Sequence, residues 1–231
     1  MAYYNRIELL EDGATFHATW RCHNKEFFIK GDFEKKLYYD LLVKYKNDYN
    51  LVFYSYSIMS NHIHLLGKCI KVYDLSNFFR KVNSIFARAI NERTGHCGQV
   101  IMDRYKSPMI ESNEGINRVA RYIDINAYKA KMVKHPRFYK WCSYNYYAFG
   151  KEDKLLTTSP AYIEFGDTDA ERRKNYIAMV EELVDNEPEL KKENYSLCYY
   201  IGDPDWVLAK YESLKNKRKE RFLKYTEPIP S

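Results

Sequence analysis

Long apolar runs are missing from this chain of 231 residues. No stretch approaches the roughly eighteen consecutive apolar residues that a membrane-spanning helix needs, so no span is expected. The opening "MAYYNRIELLED" lacks the apolar block of a signal peptide. Cysteine is sparse and unpatterned: Cys22, Cys69, Cys97, Cys142 and Cys198 are scattered and form no C-x-x-C pair. That pattern argues against a structural zinc site and for a reducing, cytoplasmic setting. Internal repeats and low-complexity tracts are absent too. Hydrophobic residues make up 45% and charged residues 29%, a balance that supports a packed core and excludes wholesale disorder.

Charge is abundant and uneven. Residues 1–150 hold 23 Lys and Arg against 14 Asp and Glu, a net of +9. Residues 151–231 hold 14 against 17, a net of −3, which returns the overall +6. A polyanion would dock on the first two thirds. A soluble domain with an ordinary lysine excess gives the same numbers. The 23 tyrosines and 12 phenylalanines are core material first, though aromatic faces also stack unpaired bases.

Periodicity divides the chain into elements. "ATFHATWRC" (14–22) alternates as a strand does. "DFEKKLYYDLLVKYKNDY" (32–49) predicts a helix with an acidic start and Phe33, Leu37, Leu41 and Tyr45 on one stripe. "LVFYSYSIM" (51–59) and "HIHLLGKCI" (62–70) predict a hairpin turning at Ser60-Asn61. Residues 72–95 predict a long helix capped by Asp74 or Ser76 and ended by Gly95. "YKSPMIES" (105–112) predicts a short strand, and 113–133 a further helix with Asn113 as its cap. Residues 134–160 read as irregular connection broken by Pro136 and Pro160, followed by helices over 169–185 and 203–225. The order is that of a ferredoxin-like βαββαβ sheet, an α+β fold, with an added helix and a helical C-terminal extension. The expected division is a domain over 1–150 and an extension over 151–231.

"MSNHIHLL" (59–66) places two histidines two apart on the second strand of the hairpin. Residues two apart on a strand share a face, so His62 and His64 point one way and Ile63 the other. Two imidazoles on one face can chelate a metal, or can simply be satisfied at the sheet surface. The helix at 113–133 carries "RYIDINAYK", in which Tyr122 and Asn126 are four apart and lie on one helical face. An amide oxygen is a hard neutral ligand suited to Mg2+ or Mn2+. A tyrosine one turn earlier is a candidate nucleophile, or one ordinary helix tyrosine among many.

"FHATWRCHNKEFF", "MSNHIHLL", "NERTGHCGQVIMDRYKS", "RYIDINAYKAKMV" and "WCSY" occur in that order between about residues 14 and 147. Together they resemble the HUH single-tyrosine transposases, in particular the REP-associated branch. The sequence departs from that pattern at Ser60 and Ala127, where proline is usual, and at Val100–Met102, where an aromatic is usual. The resemblance implies that Tyr122 is the nucleophile and that His62, His64 and Asn126 bind a divalent metal, Mg2+ or Mn2+. It implies transposition chemistry, a form of DNA recombination: cleavage and transfer of single-stranded DNA at hairpin (REP-like) sequences through a 5′-phosphotyrosine. The protein would act as a monomer or a homodimer.

Expected DNA contacts are Arg104 and Lys106 in the basic segment, and Arg118 and Arg121 beside Tyr122. Lys217, Arg218 and Arg221 lie on the last helix, which holds seven basic and three acidic residues between 205 and 224. Such a helix could grip a phosphate backbone, or be a solvated face. The alternative function is a catalytically silent hairpin-binding protein on the same fold. A third reading is a ferredoxin-like module with a fortuitous H-x-H.

Overall fold

The structure, a computed structural model, describes residues 6–186, 195 and 198–226. After a short helix, α1 (Arg6–Leu9), β1 (Thr15–Arg21) leads into α2 (Asp32–Tyr45). The hairpin β2 (Leu51–Ile58) and β3 (His62–Cys69) follows, then the long α3 (Val72–Thr94), β4 (Met109–Ile110) and α4 (Asn113–Lys129). Beyond them come α5 (Tyr144–Phe149), α6 (Pro160–Ile163), α7 (Asp169–Asp185), β5 (Tyr200–Ile201) and α8 (Pro204–Thr226).

The strands form one sheet in the order β2-β3-β1-β4-β5. Its first four strands are antiparallel neighbours in the arrangement expected of a split βαβ fold. β5 adds a parallel edge strand, pairing Met109 with Tyr200 and Ile110 with Ile201. Nothing in the periodicity of two residues announces such a strand; only β4 makes it one.

Helices α2 and α3 cover one face. Phe16, Trp20, Phe53, Ile63 and Leu65 of the sheet pack there against Tyr38, Leu42, Phe78, Val82 and Phe86. Helix α4 covers the other face, with Ile116, Val119 and Ile123 against Tyr54 and Leu66. A third cluster, rich in tyrosine, joins Ile125 of α4 to Tyr144 and Tyr147 of α5 and to Tyr176 and Val180 of α7. A bulge between Phe53 and Ser55 turns both Tyr54 and Ser55 toward the α4 side. Gly67 faces this bulge; a Cβ there would lie 2.3 Å from the Val52 carbonyl oxygen, so no larger residue fits.

Several boundaries differ from the sequence expectation. The α2 helix ends at Tyr45 and a 3-10 turn takes up Asn47–Tyr49. Its buried side chains are Lys35, Tyr38, Leu41 and Leu42, while Phe33 is half exposed, so the buried stripe is rotated from the expected one. The α3 helix is capped neither by Asp74 nor by Ser76. Asp12, sixty residues earlier, accepts the Val72 N–H at 2.9 Å and pairs with Lys71. Ser112, not Asn113, caps α4, accepting from the Gly115 N–H. The strand expected over 105–112 shrinks to two residues. Pro108 supplies no N–H, although its carbonyl still accepts from His17 and Lys106 still pairs with Thr19. Residues 134–160, expected to be irregular, contain α5 and its tyrosines.

Candidate functional site

The α4 face of the sheet carries the candidate chemistry. β1 and β3 pair with Thr19 opposite His64 and Arg21 opposite His62. Alternation therefore sets His17, Thr19 and Arg21 of β1 beside His62, His64 and Leu66 of β3, all facing α4. Ile63 and Trp20 face the opposite core, as the H-x-H spacing predicts.

The imidazoles cluster. The rings of His62 and His64 are 5.0 Å apart between centroids. His17 Nε2 lies 2.9 Å from His64 Nδ1 in a wholly buried hydrogen bond. Tyr122, on α4, sets its ring edge-on to both, 5.6 Å from His64 and 6.1 Å from His17. Asn126, one turn further along α4, donates Nδ2–H to the Tyr122 carbonyl at 2.9 Å, which leaves its Oδ1 to be offered elsewhere. His62 is held from the turn: its Nδ1 lies 2.7 Å from Asn61 Oδ1.

Burial sets the charge state. It pushes His17 and His62 down to about 4, and His64 well below the ordinary imidazole value. The Tyr195 backbone draws His17 slightly the other way, and the Arg21 charge adds to the depression at His62. For His64, the neighbouring imidazoles, Arg21 and Lys129 all add to it. At neutral pH the three rings are uncharged, and the positive charge at the site comes from Arg21 and Lys129. Lys129 Nζ sits 5.4 Å from the centre of the Tyr122 ring. Neutral imidazoles beside fixed cations suit a phosphodiester and an electron-pair donor role.

The donor set fits a divalent cation. Asn61 Oδ1 can only accept, so the His62 proton is on Nδ1 and Nε2 carries a lone pair. The His17–His64 bond permits the same arrangement at His64. Among the described residues, no group of three or more His, Cys, Asp or Glu side chains forms a ready-made metal cage. Two imidazole nitrogens and an amide oxygen would be an open set, with positions left for other oxygens.

The structure thus gathers His62, His64 and Tyr122, with Asn126 on the next turn of the same helix. Arg118 and Arg121 also lie on α4, Arg118 engaged with Glu114 at 2.7 Å. Arg104 and Lys106 are exposed on the segment beside β1. Lys217 and Arg218 are exposed on α8, which packs against β5 and α1. Strand β5 itself is three strands away from β3, or about 14 Å at the usual strand spacing. Arg221 lies on the same helix.

Sequence reasoning passed over four contributors. His17, Arg21 and Lys129 were legible in principle. The first two alternate with Thr19 on one strand face, and Lys129 is seven residues, two helical turns, after Tyr122. Tyr195, whose ring stands 5.2 Å from that of Tyr122, had no sequence signal, since the contact spans 73 positions.

The model of the IS200-like transposases matches residues 12–126, about half of the chain and the part that runs from just before β1 through Asn126. The chain belongs to the IS200-like transposase family. Among solved structures, it is similar to a REP-associated tyrosine transposase bound to a REP hairpin. The two share 17% identity at a TM-score of 0.55, covering 69% of this chain and 93% of that one. That likeness shows a common fold. No curated protein matches the sequence. Among the described residues of this transposase, no helix is long and apolar enough to cross a membrane.

Proposed function

We propose that this transposase cuts and rejoins single-stranded DNA at hairpins of the REP type, through a 5′-phosphotyrosine on Tyr122. The observation that carries the reading is the contact between the Tyr122 ring and His64, whose own ring neighbours that of His62. A tyrosine and two imidazoles from different elements share one face of the sheet, which supports their reading as nucleophile and lone-pair donors. The solved relative with this fold holds a REP hairpin, which supports a hairpin as the substrate.

In this reading Tyr122 Oη attacks the scissile phosphorus in line. The Oη–P bond forms, the P–O3′ bond breaks, and the tyrosine proton ends on the released 3′ oxygen. The products are a 5′-phosphotyrosine and a 3′-hydroxyl. Phosphodiester energy is retained, so a second 3′-hydroxyl can reverse the attack and complete strand transfer. His62 Nε2, His64 Nε2 and Asn126 Oδ1 would hold Mg2+ or Mn2+, which supplies Lewis-acid stabilisation of charge on the phosphate and the leaving oxygen. Arg21 and Lys129 supply fixed positive charge beside the same phosphate. The α4 helix keeps Tyr122 and Asn126 in register, and β3 keeps the imidazoles in register. Arg104, Lys106, Arg118 and Arg121 would contact the DNA backbone around the cut. Lys217, Arg218 and Arg221 would contact it further out.

Labelled hairpin oligonucleotides taken from the DNA flanking the gene test this directly. Incubated with the protein and Mn2+ and run on a denaturing gel, they should yield a cut fragment and a protein-linked fragment. Hairpin binding with no cut under any divalent ion would instead establish the silent binding protein.

A further inference from the structure

We propose that His17 is a positioning residue for His64: it accepts the His64 Nδ1 proton and thereby fixes the ring in the tautomer that offers Nε2. The inference rests on the reading of His62 and His64 as ligands of a divalent cation. His17 belongs to β1, stands opposite Leu66 and is the diagonal neighbour of His64 on the α4 face. The Nε2–Nδ1 separation is 2.9 Å, with His17 fully buried and His64 2% exposed. Water cannot replace either partner there.

A hydrogen bond between two neutral imidazoles holds one proton and has two arrangements. If His17 Nε2 carries the proton, His64 Nδ1 accepts it. The one N–H of His64 is then on Nε2, and that nitrogen cannot bind a cation. If His64 Nδ1 carries the proton, His17 Nε2 accepts it and His64 Nε2 is a bare lone pair. Only the second arrangement makes a ligand, and it requires an acceptor at the place His17 Nε2 occupies. Asn61 Oδ1 fills the corresponding place for His62 at 2.7 Å. The two imidazoles of the H-x-H motif are thus each oriented through Nδ1, one from the hairpin turn and one from the neighbouring strand. An outer partner of this kind is worth roughly 10–100-fold in metal affinity.

The test compares two variants of the full chain. His17→Phe keeps a ring and removes the acceptor; His17→Gln places an amide oxygen near the former Nε2 position. Binding of Mn2+ alone is measured by the electron paramagnetic resonance signal of the free ion, and folding is checked by thermal denaturation. We expect His17→Phe to weaken Mn2+ binding about 10–100-fold and His17→Gln to stay within about threefold of the unaltered chain. Equal Mn2+ affinity in His17→Phe, while His64→Ala loses the ion, overturns the role of His17 alone. Equal Mn2+ binding by the unaltered chain and His64→Ala overturns the ligand reading beneath it. Nitrogen-15 NMR of the unaltered chain with Mg2+ decides the point even where a variant does not fold. The His64 signals should show a protonated Nδ1 and an unprotonated Nε2, and the opposite tautomer refutes the proposal.

Discussion

Tyr176 of α7 donates its hydroxyl to Oδ2 of Asp124, a residue of α4 two positions beyond Tyr122. Ser143 donates to Oδ1 of the same carboxyl and also bonds Ser55 of β2. The helix that carries the candidate nucleophile is thereby tied to the sheet on one side and to the region after residue 150 on the other. Burial pushes Asp124 up to about 7, against the smaller opposing effect of those two hydrogen bonds.

A pH dependence of stability follows. The unfolded carboxyl titrates near 3.9, so the folded chain holds the extra proton more tightly between about pH 4 and pH 7. That contribution is complete at the acid end and is lost as pH rises toward 7. The other groups facing the carboxyl, Tyr176, Tyr147, Tyr144 and Cys142, are pushed above their ordinary values and stay neutral across this window. The buried histidines act with the opposite sign, losing stability as pH falls below about 6.5. The difference between the unaltered chain and Asp124→Asn cancels them. Measured without divalent metal, this difference should move against the unaltered chain by on the order of 3 kcal/mol from pH 5 to pH 8. Parallel melting-temperature profiles for the two proteins would refute the assignment.

His64→Ala should abolish cleavage and also cost stability. A histidine at an open sheet surface would leave the fold untouched, but His64 is buried and holds His17. Its removal orphans a buried ring nitrogen, at a cost of about 1–3 kcal/mol. His62 is only half buried, so His62→Ala should lose cleavage with a smaller drop in melting temperature. Full cleavage by His62→Ala would end the metal-site reading.

Tyr122→Phe should separate binding from chemistry. It removes one oxygen and keeps the ring that packs on His64 and Tyr195. Hairpin affinity should change less than about twofold, because phosphate contacts from Lys and Arg supply most of it. Affinity of both proteins should fall with salt, by a slope of about −0.7 to −0.9 per phosphate neutralised. A flat salt profile would point to another ligand.

The covalent link should be on Tyr122. Tyr105, the nearest rival along the chain, is buried in the other layer, stacked on Phe79 at 4.1 Å and bonded to Ser76. Tyr128 is occupied with the Val184 carbonyl, Tyr139 with that of Ile58, and Tyr144 packs against Tyr176. Digestion of the trapped protein–DNA adduct and mass spectrometry should find the peptide containing Tyr122, joined to a 5′ phosphate. An adduct on Tyr105, or a 3′ linkage, would overturn the mechanism.

Local periodicity was enough for the alternation of β1 and β3, the hairpin between β2 and β3, the extents of α3 and α7, and the pairing of Tyr122 with Asn126 on one helical face. Each of these rests on a period of 2 or 3.6 residues, and such periods are set by the backbone alone. The remaining features depend on contacts between distant segments. Asp12 caps α3 and the Gly67 backbone abuts the β2 bulge because segments distant in sequence meet there. β5 is a strand because β4 offers it an edge. His17 becomes a partner of His64, and Asp124 a buried carboxyl, only once strand order and helix packing remove water from them. Burial and cross-strand contact are properties of the assembled sheet, and no local pattern encodes which side chain will stand opposite.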